Sequence, residues 1–510
     1  MNIQKVDFMK LMKSFRFVIL VILLLSFILI ISVRKFYPTQ GVEQGASWAE
    51  FTAYLERRVP VLMKHYDIPG ACIALIQDAE IVWSGAYGYA DLETGRKMTV
   101  ETICRVESIS KPVTAWGVMK LVEQGKIELD VSVEEYLGDW ELPESEFSEA
   151  KVTARRLLSH SAGMPLGNVF ERYDPTEKIP SLEETLSGEA ILTQEPGVAF
   201  SYSNTGFNIL ELLIEKVTGR DFAEYMKTEV LLPLGMRQSG FDWKADWEPL
   251  VPNGYDLKGN PAPVYVYPAK ASGGLFANVE DIGVFVAAGM SGFTDADRRI
   301  LSPESINRLY TPIVEKPGLY SLAFDAYGLG HFLENLDGGK RGVSHGGQGY
   351  GWMSHFHFVP ESGVGIVILT NSQRSWPFFA YLLNDWAQWN GFTSVGMGRI
   401  ILGQKILWTL IGLILFISLR QGYRLGQALI SGGRRFAPGA KRHWAPRLAQ
   451  SGLAVIILAG LWWAVNQDYL FIASLFPIAS GWLGCSILIS AVVLLLSGLF
   501  PSVSSRLSKV

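Results

Sequence analysis

Long apolar runs at both ends of the chain leave one central stretch in which a folded domain can form. One run extends from Phe17 to Val33, and three others lie at about 400–419, 448–466 and 478–500. A membrane-spanning helix needs about 20 predominantly apolar residues, within a range of about 17–25. All four runs are therefore predicted to cross a membrane, and residues 34–399 are expected to fold outside it.

The linker between the second and third runs carries the charge that predicts the topology. Residues 420–447 contain seven arginine or lysine residues and no acidic residue. Because positively charged loops stay on the cytoplasmic side, we expect this loop and the N-terminus inside and the central stretch outside. Nucleic-acid binding is the alternative, but the flanking apolar runs and the net charge of -4 argue against it. The chain is thus predicted to be a multi-pass protein of the cell membrane, with the lipid bilayer as a partner.

These patterns divide the chain into four segments. No small-x-small cleavage site follows Val33, so the first run is interpreted as an uncleaved anchor and not as a signal peptide. The segments are a cytoplasmic N-terminus with a transmembrane anchor (1–35), a linker (36–46), a folded domain (47–395), and a C-terminal membrane region with about three transmembrane helices and a basic cytoplasmic loop (396–510, with the loop at 420–447).

The pattern of predicted elements indicates an α+β domain. Ser47 and Glu50 form a capping box at the start of a helix, and strand-like runs at 72–76 and 81–87 follow as a hairpin. The middle of the domain is mostly helical, and strands return before a last helix at 376–389. Strands at both ends predict one sheet built from the two ends, with a helical subdomain beside it. The remaining predicted elements are helices at about 153–159, 182–192, 205–218, 221–232 and from Asn278 to Met290, and strands at 327–333, 341–345, 351–359 and 364–370.

The cysteine and histidine residues give no metal pattern. Of the three cysteines, Cys72 and Cys104 are interpreted as separate core residues, with a bridge between them as the alternative, and Cys485 lies in an apolar run. His355 and His357 share one face of a predicted strand but have no third ligand. We therefore expect no metal site.

A serine and a lysine one helical turn apart, Ser108 and Lys111, give the first sign of chemistry. Pro112 suits the first turn of a helix and Gly125 its end, so Ser108 would lie at the positive end of a helix dipole. A serine with an amine one turn away is typical of a nucleophile activated by a lysine. The spacing alone is weak evidence, because it also occurs at Ser32–Lys35 and Ser148–Lys151.

Two further motifs follow Ser108 along the chain. Tyr202-x-Asn204 falls in a turn between two predicted helices, where side chains can point into a cleft. His345-x-Gly347 lies at the edge of a predicted strand, where glycine allows a substrate backbone to lie close against the strand. The chain contains no His-Glu-x-x-His zinc motif and no phosphate-binding loop. The functional prediction therefore depends on the serine motif and on what accompanies it.

In this order, the three motifs resemble those of the serine β-lactamase and penicillin-binding-protein superfamily, and most closely its class C-like branch. The segments from Leu157 to Pro165, from Asn204 to Phe207 and from Ser272 to Leu275 also resemble that branch. The resemblance covers roughly residues 47–390. It implies a β-lactamase/transpeptidase-like α+β fold, in which an antiparallel sheet is flanked by helices and accompanied by a helical subdomain.

The resemblance also implies a role for each motif residue. Ser108 would be the acylated nucleophile, and either Lys111 or Tyr202 would be the base that takes its proton. Tyr202 could instead pass a proton to the leaving group. Asn204 would hydrogen-bond Lys111 or the substrate amide, and His345 would contribute a charge or a hydrogen bond near Tyr202.

The third motif and the residue after it complete the predicted site, and His345 in this motif is one of two departures from the family pattern. The backbone N–H groups of Ser108 and Gln348 would form an oxyanion hole, and Gly347 would leave room for substrate. His345 stands where many members have lysine, which resembles the peptidase and esterase members more than the antibiotic-hydrolysing ones. Glu107 is an unusual charge directly before the nucleophile, and the sequence offers no account of it.

The resemblance implies a membrane-anchored, extracytoplasmic serine hydrolase that works through an acyl-serine intermediate without a metal or organic cofactor. Its expected substrates are small-molecule or peptide acyl compounds, above all D-alanyl peptides or esters of the cell envelope. Esterase, amidase or β-lactamase activity within the same superfamily is the alternative. A different class of function is a catalytically weak membrane receptor or assembly module, in which the membrane helices bind a partner.

Overall fold

The part of the chain that the computed structural model describes forms two compact units. The model describes residues 42–169, 171–439 and 444–503. One unit is Val42–Ile401, and the other contains the described residues from Leu402 onward. The predicted anchor at 17–33 and most of the predicted linker at 36–46 lie outside the described residues.

Twelve strands lie within the described residues, and eight of them form one antiparallel sheet. In chain order they are β1 (Gly70–Gln77), β2 (Glu80–Gly88), β3 (Cys104–Arg105), β4 (Gly254–Tyr255), β5 (Pro261–Ala262), β6 (Phe276–Ala277), β7 (Val314–Glu315), β8 (Ala326–Tyr327), β9 (Phe332–Asn335), β10 (Arg341–Gln348), β11 (Met353–Val359) and β12 (Val364–Thr370). The order across the large sheet is β2-β1-β12-β11-β10-β9-β8-β7. Ala74 of β1 pairs with Ser84 of β2 on one side and with Val367 of β12 on the other. This confirms the prediction of one sheet built from both ends of the domain.

Helices cover both faces of this sheet and form the region between its two halves. In chain order the described helices of this unit are α1 (Trp48–Tyr66), α2 (Ser110–Glu123), α3 (Ala154–Leu158), α4 (Leu182–Glu189), α5 (Asn204–Thr218), α6 (Phe222–Met226), α7 (Leu232–Leu234), α8 (Val279–Ala288), α9 (Pro303–Leu309) and α10 (Trp376–Trp389). The helices that follow are α11 (Arg399–Ile430), α12 (Trp444–Val465), α13 (Phe471–Leu475) and α14 (Ala479–Leu499), and from Leu402 onward they belong to the other unit. Successive residues of β11 point to opposite faces. Phe356 contacts Phe285 of α8 on one face, and His357 contacts Trp386 of α10 on the other.

Local sequence signals account for several of these boundaries. Ser47 and Glu50 make both hydrogen bonds of the predicted capping box at the start of α1. Asn278 caps α8 through the backbone N–H of Asp281, as the sequence predicts. Within the described chain, Cys72 and Cys104 are both buried free thiols, which agrees with two separate core residues and not with a bridge.

Two predicted elements are wrong in detail. The single strand expected at 327–333 is two strands, because the chain turns between them with a hydrogen bond from the N–H of Gly328 to the carbonyl of His331. The helix expected at 221–232 is interrupted by a wider helical turn, Lys227–Leu231, that separates α6 from α7. The paired strands β4 and β5 and helix α9 were not predicted, since each is too short for a clear pattern.

Three described helices are long and apolar enough to cross a membrane. They are Gly396–Ile430, Trp444–Val465 and Ala479–Leu499, at the three places where the C-terminal apolar runs predicted them. The first of them continues to Ile430, so the beginning of the predicted loop at 420–447 is helical. Their large apolar side chains are widely exposed, as for Trp462, which is a property of surfaces that lipid covers.

Candidate active site

Ser108 lies in a tight turn that leads directly into α2. The turn is a 3-10 helix, Glu107–Ile109, and we call it the Ser108 turn. The hydroxyl of Ser110, the first residue of α2, donates to the carbonyl oxygen of Glu107 at 2.6 Å and so fixes the turn from the helix side. Ser108 is partly exposed, whereas Lys111 is fully buried. The serine hydroxyl is therefore accessible to a substrate while the amine next to it is shielded from water.

The amine of Lys111 is at the centre of three hydrogen bonds. Its Nζ atom is 3.1 Å from Ser108 Oγ, 2.8 Å from Asn204 Oδ1 and 2.8 Å from the carbonyl oxygen of Ser272. Burial lowers the pKa of Lys111 to about 7, although the carboxylate of Glu107 acts in the opposite direction. A neutral amine has two N–H donors and one lone pair. When Asn204 and Ser272 accept the two N–H groups, the lone pair faces Ser108 Oγ and can take up its proton.

A buried carboxylate holds the loop that supplies the Ser272 carbonyl. Glu211 of α5 accepts the backbone N–H groups of Lys270 and Ala271 at 2.6 and 2.7 Å. Burial raises the pKa of Glu211 to about 8, because desolvation outweighs these hydrogen bonds. The sequence predictions missed this residue. Its signal is a single acidic residue within the apolar run 209–214 of a predicted helix.

Tyr202 lies beside the same pair, just before α5. Its hydroxyl hydrogen-bonds Ser108, and its ring centroid is 4.9 Å from Lys111 Nζ. The exposed ring of Tyr320 stacks on the Tyr202 ring with the centroids 5.4 Å apart. Burial and the neighbouring Tyr320 raise the pKa of Tyr202 above its ordinary value. Tyr202 is therefore a neutral phenol at neutral pH, which suits it to passing a proton on.

His345 is a buried and neutral side chain of β10. Its Nε2 atom is 3.3 Å from the hydroxyl of Tyr327, and its Nδ1 atom is 2.8 Å from the carbonyl oxygen of Gly346. Because a carbonyl can only accept, the proton is assigned to Nδ1, and Nε2 accepts from Tyr327. Burial and the nearby Lys111 hold the pKa of His345 well below its ordinary value. His345 thus supplies no charge, and its ring centroid is 6.4 Å from that of Tyr202.

The end of β10 packs closely against the Ser108 turn. A Cβ atom on Gly347 would lie 2.1 Å from the carbonyl oxygen of Val106, so this approach requires glycine. The hydroxyl of Ser354 donates to the same carbonyl at 2.6 Å. The side chain of Gln348 accepts the indole N–H of Trp376 at 2.9 Å. Gly347 therefore makes room for the chain's own backbone.

A second serine in β10 also matches a hydrolase pattern. The residues from Gly342 to Gly346 form Gly-x-Ser-x-Gly, which in other hydrolases carries the nucleophile on a sharp turn between a strand and a helix. Here the central residue, Ser344, is fully buried in the middle of the strand. The pattern lacks its structural context, so Ser344 is not a candidate nucleophile.

Glu107, the unexplained charge beside Ser108, is bound by three donors. Its carboxylate accepts from Arg105 Nε at 2.9 Å and from the hydroxyls of Tyr265 and Tyr267 at 2.9 and 3.0 Å. Glu107 is 2% exposed and Arg105 is fully buried. We call these four residues the Glu107 cluster. The sequence predictions missed the two tyrosines, which lie 158 and 160 residues further along the chain and carry no local signal.

The structure brings the three sequence motifs to one place. Two groups of predicted residues meet there, one around the Lys111 amine and one on β10, and they approach each other between the Ser108 turn and the strand. The first group is Ser108, Lys111, Tyr202 and Asn204, and the second is His345, Gly347 and Gln348.

Comparison with known proteins gives a match over most of the chain. The family model described as Beta-lactamase matches residues 55–385. Penicillin-binding protein 4 of Amycolatopsis lactamdurans is 27% identical over 345 residues, which is 65% of this chain and 88% of that protein. Esterase EstB of Burkholderia gladioli is 31% identical over 205 residues, which is 38% of this chain and 52% of that esterase.

The fold has a counterpart among solved structures. A class C β-lactamase superposes with a TM-score of 0.53 and 20% identity, covering 63% of this chain and 91% of that one. At this level of identity the likeness concerns the fold alone. It confirms the predicted α+β arrangement of an antiparallel sheet, flanking helices and a helical subdomain.

Proposed function

Because the chain belongs to the beta-lactamase family, we propose that it is a membrane-bound serine hydrolase that works through an acyl-Ser108 intermediate. One observation carries the proposal: a fully buried lysine amine with its pKa lowered to about 7 lies 3.1 Å from the hydroxyl of a partly exposed serine. A buried amine without a task would cost stability, because burial disfavours its charged form. A base for the serine is the task that this geometry fits.

Acylation follows from the contacts around Ser108. Lys111 takes the proton of Ser108 Oγ as the oxygen bonds to the carbonyl carbon of the substrate, and the charge that develops on the carbonyl oxygen is bound by the N–H groups of Ser108 and Gln348. The carbon–heteroatom bond then breaks, and the leaving group receives a proton from the Tyr202 hydroxyl, which regains one from Lys111. This order makes Lys111 the base and Tyr202 the proton shuttle, in keeping with the raised pKa of Tyr202.

Deacylation reverses these roles with water in place of the leaving group. A water molecule loses its proton to the neutral Lys111, or to Tyr202 acting for it, while its oxygen bonds to the acyl carbon. The bond from the acyl carbon to Ser108 Oγ breaks, and the oxygen recovers the proton. The products are the free acid and the resting serine, with all atoms accounted for.

The surroundings of Tyr202 favour an ester or amide that is uncharged at this end of the site. His345 is neutral, so the position at which many relatives have a lysine offers no cation for a substrate carboxylate. Tyr320, which covers Tyr202, is 40% exposed, and its neighbour Leu319 is 85% exposed. An apolar rim beside a neutral site suits an apolar acyl or alcohol group better than a charged one.

A D-alanyl peptide of the cell envelope is the second candidate substrate, and one observation favours it. The guanidinium of the exposed Arg172 lies 4.0 Å from the ring centroid of Tyr350, two residues beyond the end of β10. In this second proposal, Arg172 binds a substrate carboxylate that extends past Gln348. The penicillin-binding relative supports this candidate, and the esterase relative supports the first.

Probe labelling of the full-length chain in membranes tests the proposed function. A fluorophosphonate probe should label the wild type and the Ser148→Ala control, which alters the other Ser-x-x-Lys match within the domain, and it should not label Ser108→Ala. Equal labelling of Ser108→Ala would overturn the assignment. Turnover of p-nitrophenyl esters, D-alanyl-D-alanine peptides and a chromogenic β-lactam then ranks the substrate classes. No turnover and no labelling of the wild type would favour a receptor or assembly module.

We also propose the topology that the charge pattern predicts, with residues 47–395 as an extracytoplasmic domain. The compact unit Val42–Ile401 and the three apolar helices support it. A reporter that is active only in the cytoplasm, fused near Gly439, should be active. A signal there from a reporter that is active only outside the membrane would overturn the proposed topology.

A further inference from the structure

The carboxylate of Glu107 is held in place from several directions. Its Oε1 atom accepts from Arg105 and Tyr265, and its Oε2 atom accepts from Tyr267. The backbone of Glu107 has a φ of 51°, a left-handed conformation that non-glycine residues rarely adopt. Such a conformation persists only where the surroundings impose it. The three donors therefore hold the residue before Ser108 in a backbone conformation that it would not adopt alone.

The Glu107 cluster also contacts the strand that carries the second oxyanion donor. A Cβ atom on Gly349 would lie 2.3 Å from Glu107 Cδ, so the carboxyl group packs directly on this backbone. The hydroxyl of Tyr265 accepts the backbone N–H of Tyr350 at 2.9 Å. The cluster thus fixes the two residues that follow Gln348.

These contacts flank Ser108 and Gln348 from both sides. On the strand, Gln348 lies between Gly347, which meets the carbonyl of Val106, and Gly349, which meets the carboxyl group of Glu107. On the turn, Val106 and Glu107 are the two residues directly before Ser108. Two close contacts, one of them made by Glu107, therefore act on the separation between the N–H groups of Ser108 and Gln348, alongside the hydrogen bond from Ser354 to the Val106 carbonyl.

Arg105 extends the same cluster to the loop behind Lys111. Its guanidinium donates to the carbonyl oxygens of Tyr265 and of Gly273. Gly273 directly follows Ser272, whose carbonyl accepts from Lys111. The cluster therefore connects the Ser108 turn, the end of β10 and the acceptor of the lysine amine.

We propose that Glu107 is a positioning residue that sets the separation between the backbone N–H groups of Ser108 and Gln348. The proposal rests on the proposed serine-hydrolase function for its kinetic consequence, but its geometric content is independent of it. A residue that fixes oxyanion donors acts mainly on the transition state, because only there does the carbonyl oxygen carry the charge that the donors bind. Loss of the positioning should therefore lower kcat and leave KM nearly unchanged.

The chain contains a matched control for this proposal. Arg58, Asp385 and Tyr54 form a similar, largely buried group, with Asp385 accepting from Arg58 Nε at 3.0 Å and from the Tyr54 hydroxyl at 2.9 Å. We call it the Asp385 cluster. It connects α1 with α10 on the other face of the sheet, away from Ser108. Removing one hydroxyl from each cluster changes the same chemistry at two different places.

The kinetic experiment compares Tyr267→Phe and Glu107→Gln with Tyr54→Phe. Each variant is measured in the full-length chain in membranes, and its kcat is corrected for the fraction of protein that a fluorophosphonate labels. We expect the first two to lower kcat by about 10- to 100-fold with KM within about threefold, because a small misplacement of catalytic groups has effects of this size. Tyr54→Phe should leave both constants unchanged. Equal kcat for Tyr267→Phe and Tyr54→Phe would overturn the proposal, and this comparison decides the matter if Glu107→Gln does not fold.

A structural measurement separates failure of this proposal from failure of the proposed function. Experimental structures of the wild type and of Tyr267→Phe give the distance between the nitrogen atoms of Ser108 and Gln348, whether or not the protein has activity. An increased or more variable distance in the variant supports the proposal. An unchanged distance overturns it, whereas absent labelling of the wild type overturns only the proposed hydrolase function.

Discussion

Two clusters of similar composition lie on opposite sides of the central sheet. Each combines one arginine and one carboxylate, with two tyrosine hydroxyl groups in the Glu107 cluster and one in the Asp385 cluster. The arginine–carboxylate distances are 2.9 Å in the first and 3.0 Å in the second. Both arginines are buried, so removal of the carboxylate would leave each guanidinium without its ion-pair partner. The chemistry of the two clusters is thus nearly identical.

The difference between them lies in the backbone that carries the carboxylate. Asp385 belongs to helix α10, whose conformation is maintained by its own hydrogen bonds, so its cluster joins two elements that would form anyway. Glu107 belongs to a turn with a φ of 51°, whose conformation depends on what the side chain binds. Under our proposal, the same kind of contact contributes stability in one place and sets the backbone geometry around Ser108 in the other. Mutations can separate these two contributions.

Removal of each carboxylate should give the largest effect. Glu107→Ala and Asp385→Ala each remove the carboxylate partner of a buried guanidinium, and we expect the free energy of unfolding to fall by about 3 kcal/mol or more in both. Only Glu107→Ala should also lower kcat per folded molecule. Urea unfolding followed by tryptophan fluorescence, together with kcat corrected for probe labelling, measures both quantities. A matching loss of kcat in Asp385→Ala would remove the distinction between the clusters.

The pH dependence of activity should report the charge of only one cluster. As the proposed base, Lys111 must be neutral, so kcat/KM should fall about tenfold for each pH unit below about 7 and level off above it. The Glu107 carboxylate raises the pKa of Lys111, so Glu107→Gln should move this acidic limb to lower pH. Asp385→Asn should leave it in place. A limb that stays fixed in Glu107→Gln would show that its charge does not reach Lys111.

The face of the sheet that holds the Asp385 cluster also contains buried histidines, and they should make the stability of this face sensitive to acid. Neither ring nitrogen of His355 has a hydrogen-bond partner among the residues that the structure describes, and burial lowers its pKa to about 3. Because its unfolded pKa is about 6.5, stability is lost as the pH falls from about 6.5 towards 3.

Replacing this histidine tests that expectation. A buried neutral histidine costs about 1.4 kcal/mol of unfolding free energy for each pH unit below 6.5. Between pH 8 and pH 5, His355→Leu should therefore lose about 2 kcal/mol less unfolding free energy than the wild type. Packing changes cancel in this difference, because they are present at both pH values. Urea unfolding at the two pH values measures it. An unchanged pH dependence would show that His355 is accessible to protons in the folded state.

Removal of a single hydroxyl group from the Asp385 cluster should give the smallest effect. Tyr54→Phe loses one hydrogen bond to a carboxylate, and we expect the free energy of unfolding to fall by about 1–2 kcal/mol. A thermal unfolding scan should show the lower transition temperature. A decrease as large as that of Asp385→Ala would mean that the hydroxyl, and not the ion pair, holds α1 to α10.

Local patterns were sufficient for the elements and motifs that depend on neighbours in sequence. The capping box at Ser47, the hairpin of β1 and β2 and the helix after Ser375 follow from residues within a few positions of one another. The spacing of Ser108 and Lys111 likewise depends on a single helical turn. The sheet built from both ends was also predictable, because each end has its own strand signals.

Features that depend on distant contacts were not predictable from one sequence. The charge of Glu107 is explained only by tyrosines about 160 residues away. The neutrality of His345 depends on its burial and on the nearby Lys111, and sequence shows neither. The need for glycine at position 347 comes from the Val106 carbonyl, where the motif suggested room for substrate. In each case the missing information is which groups of the chain approach from elsewhere in the fold.

The pairing of strands from the two ends of the domain has a consequence for biosynthesis. The indole N–H of Trp389 donates to the carbonyl of Ala46, 343 residues earlier. Strand β1 likewise cannot pair with β12 until a similar length of chain has been synthesised. At about 5–20 residues per second, synthesis of that length takes about 20–70 s. During this time the β1–β2 hairpin has an unpaired edge, which other strands can join. The nascent chain is therefore most prone to aggregation before its last strand is made, and a truncation before β12 should be degraded or insoluble.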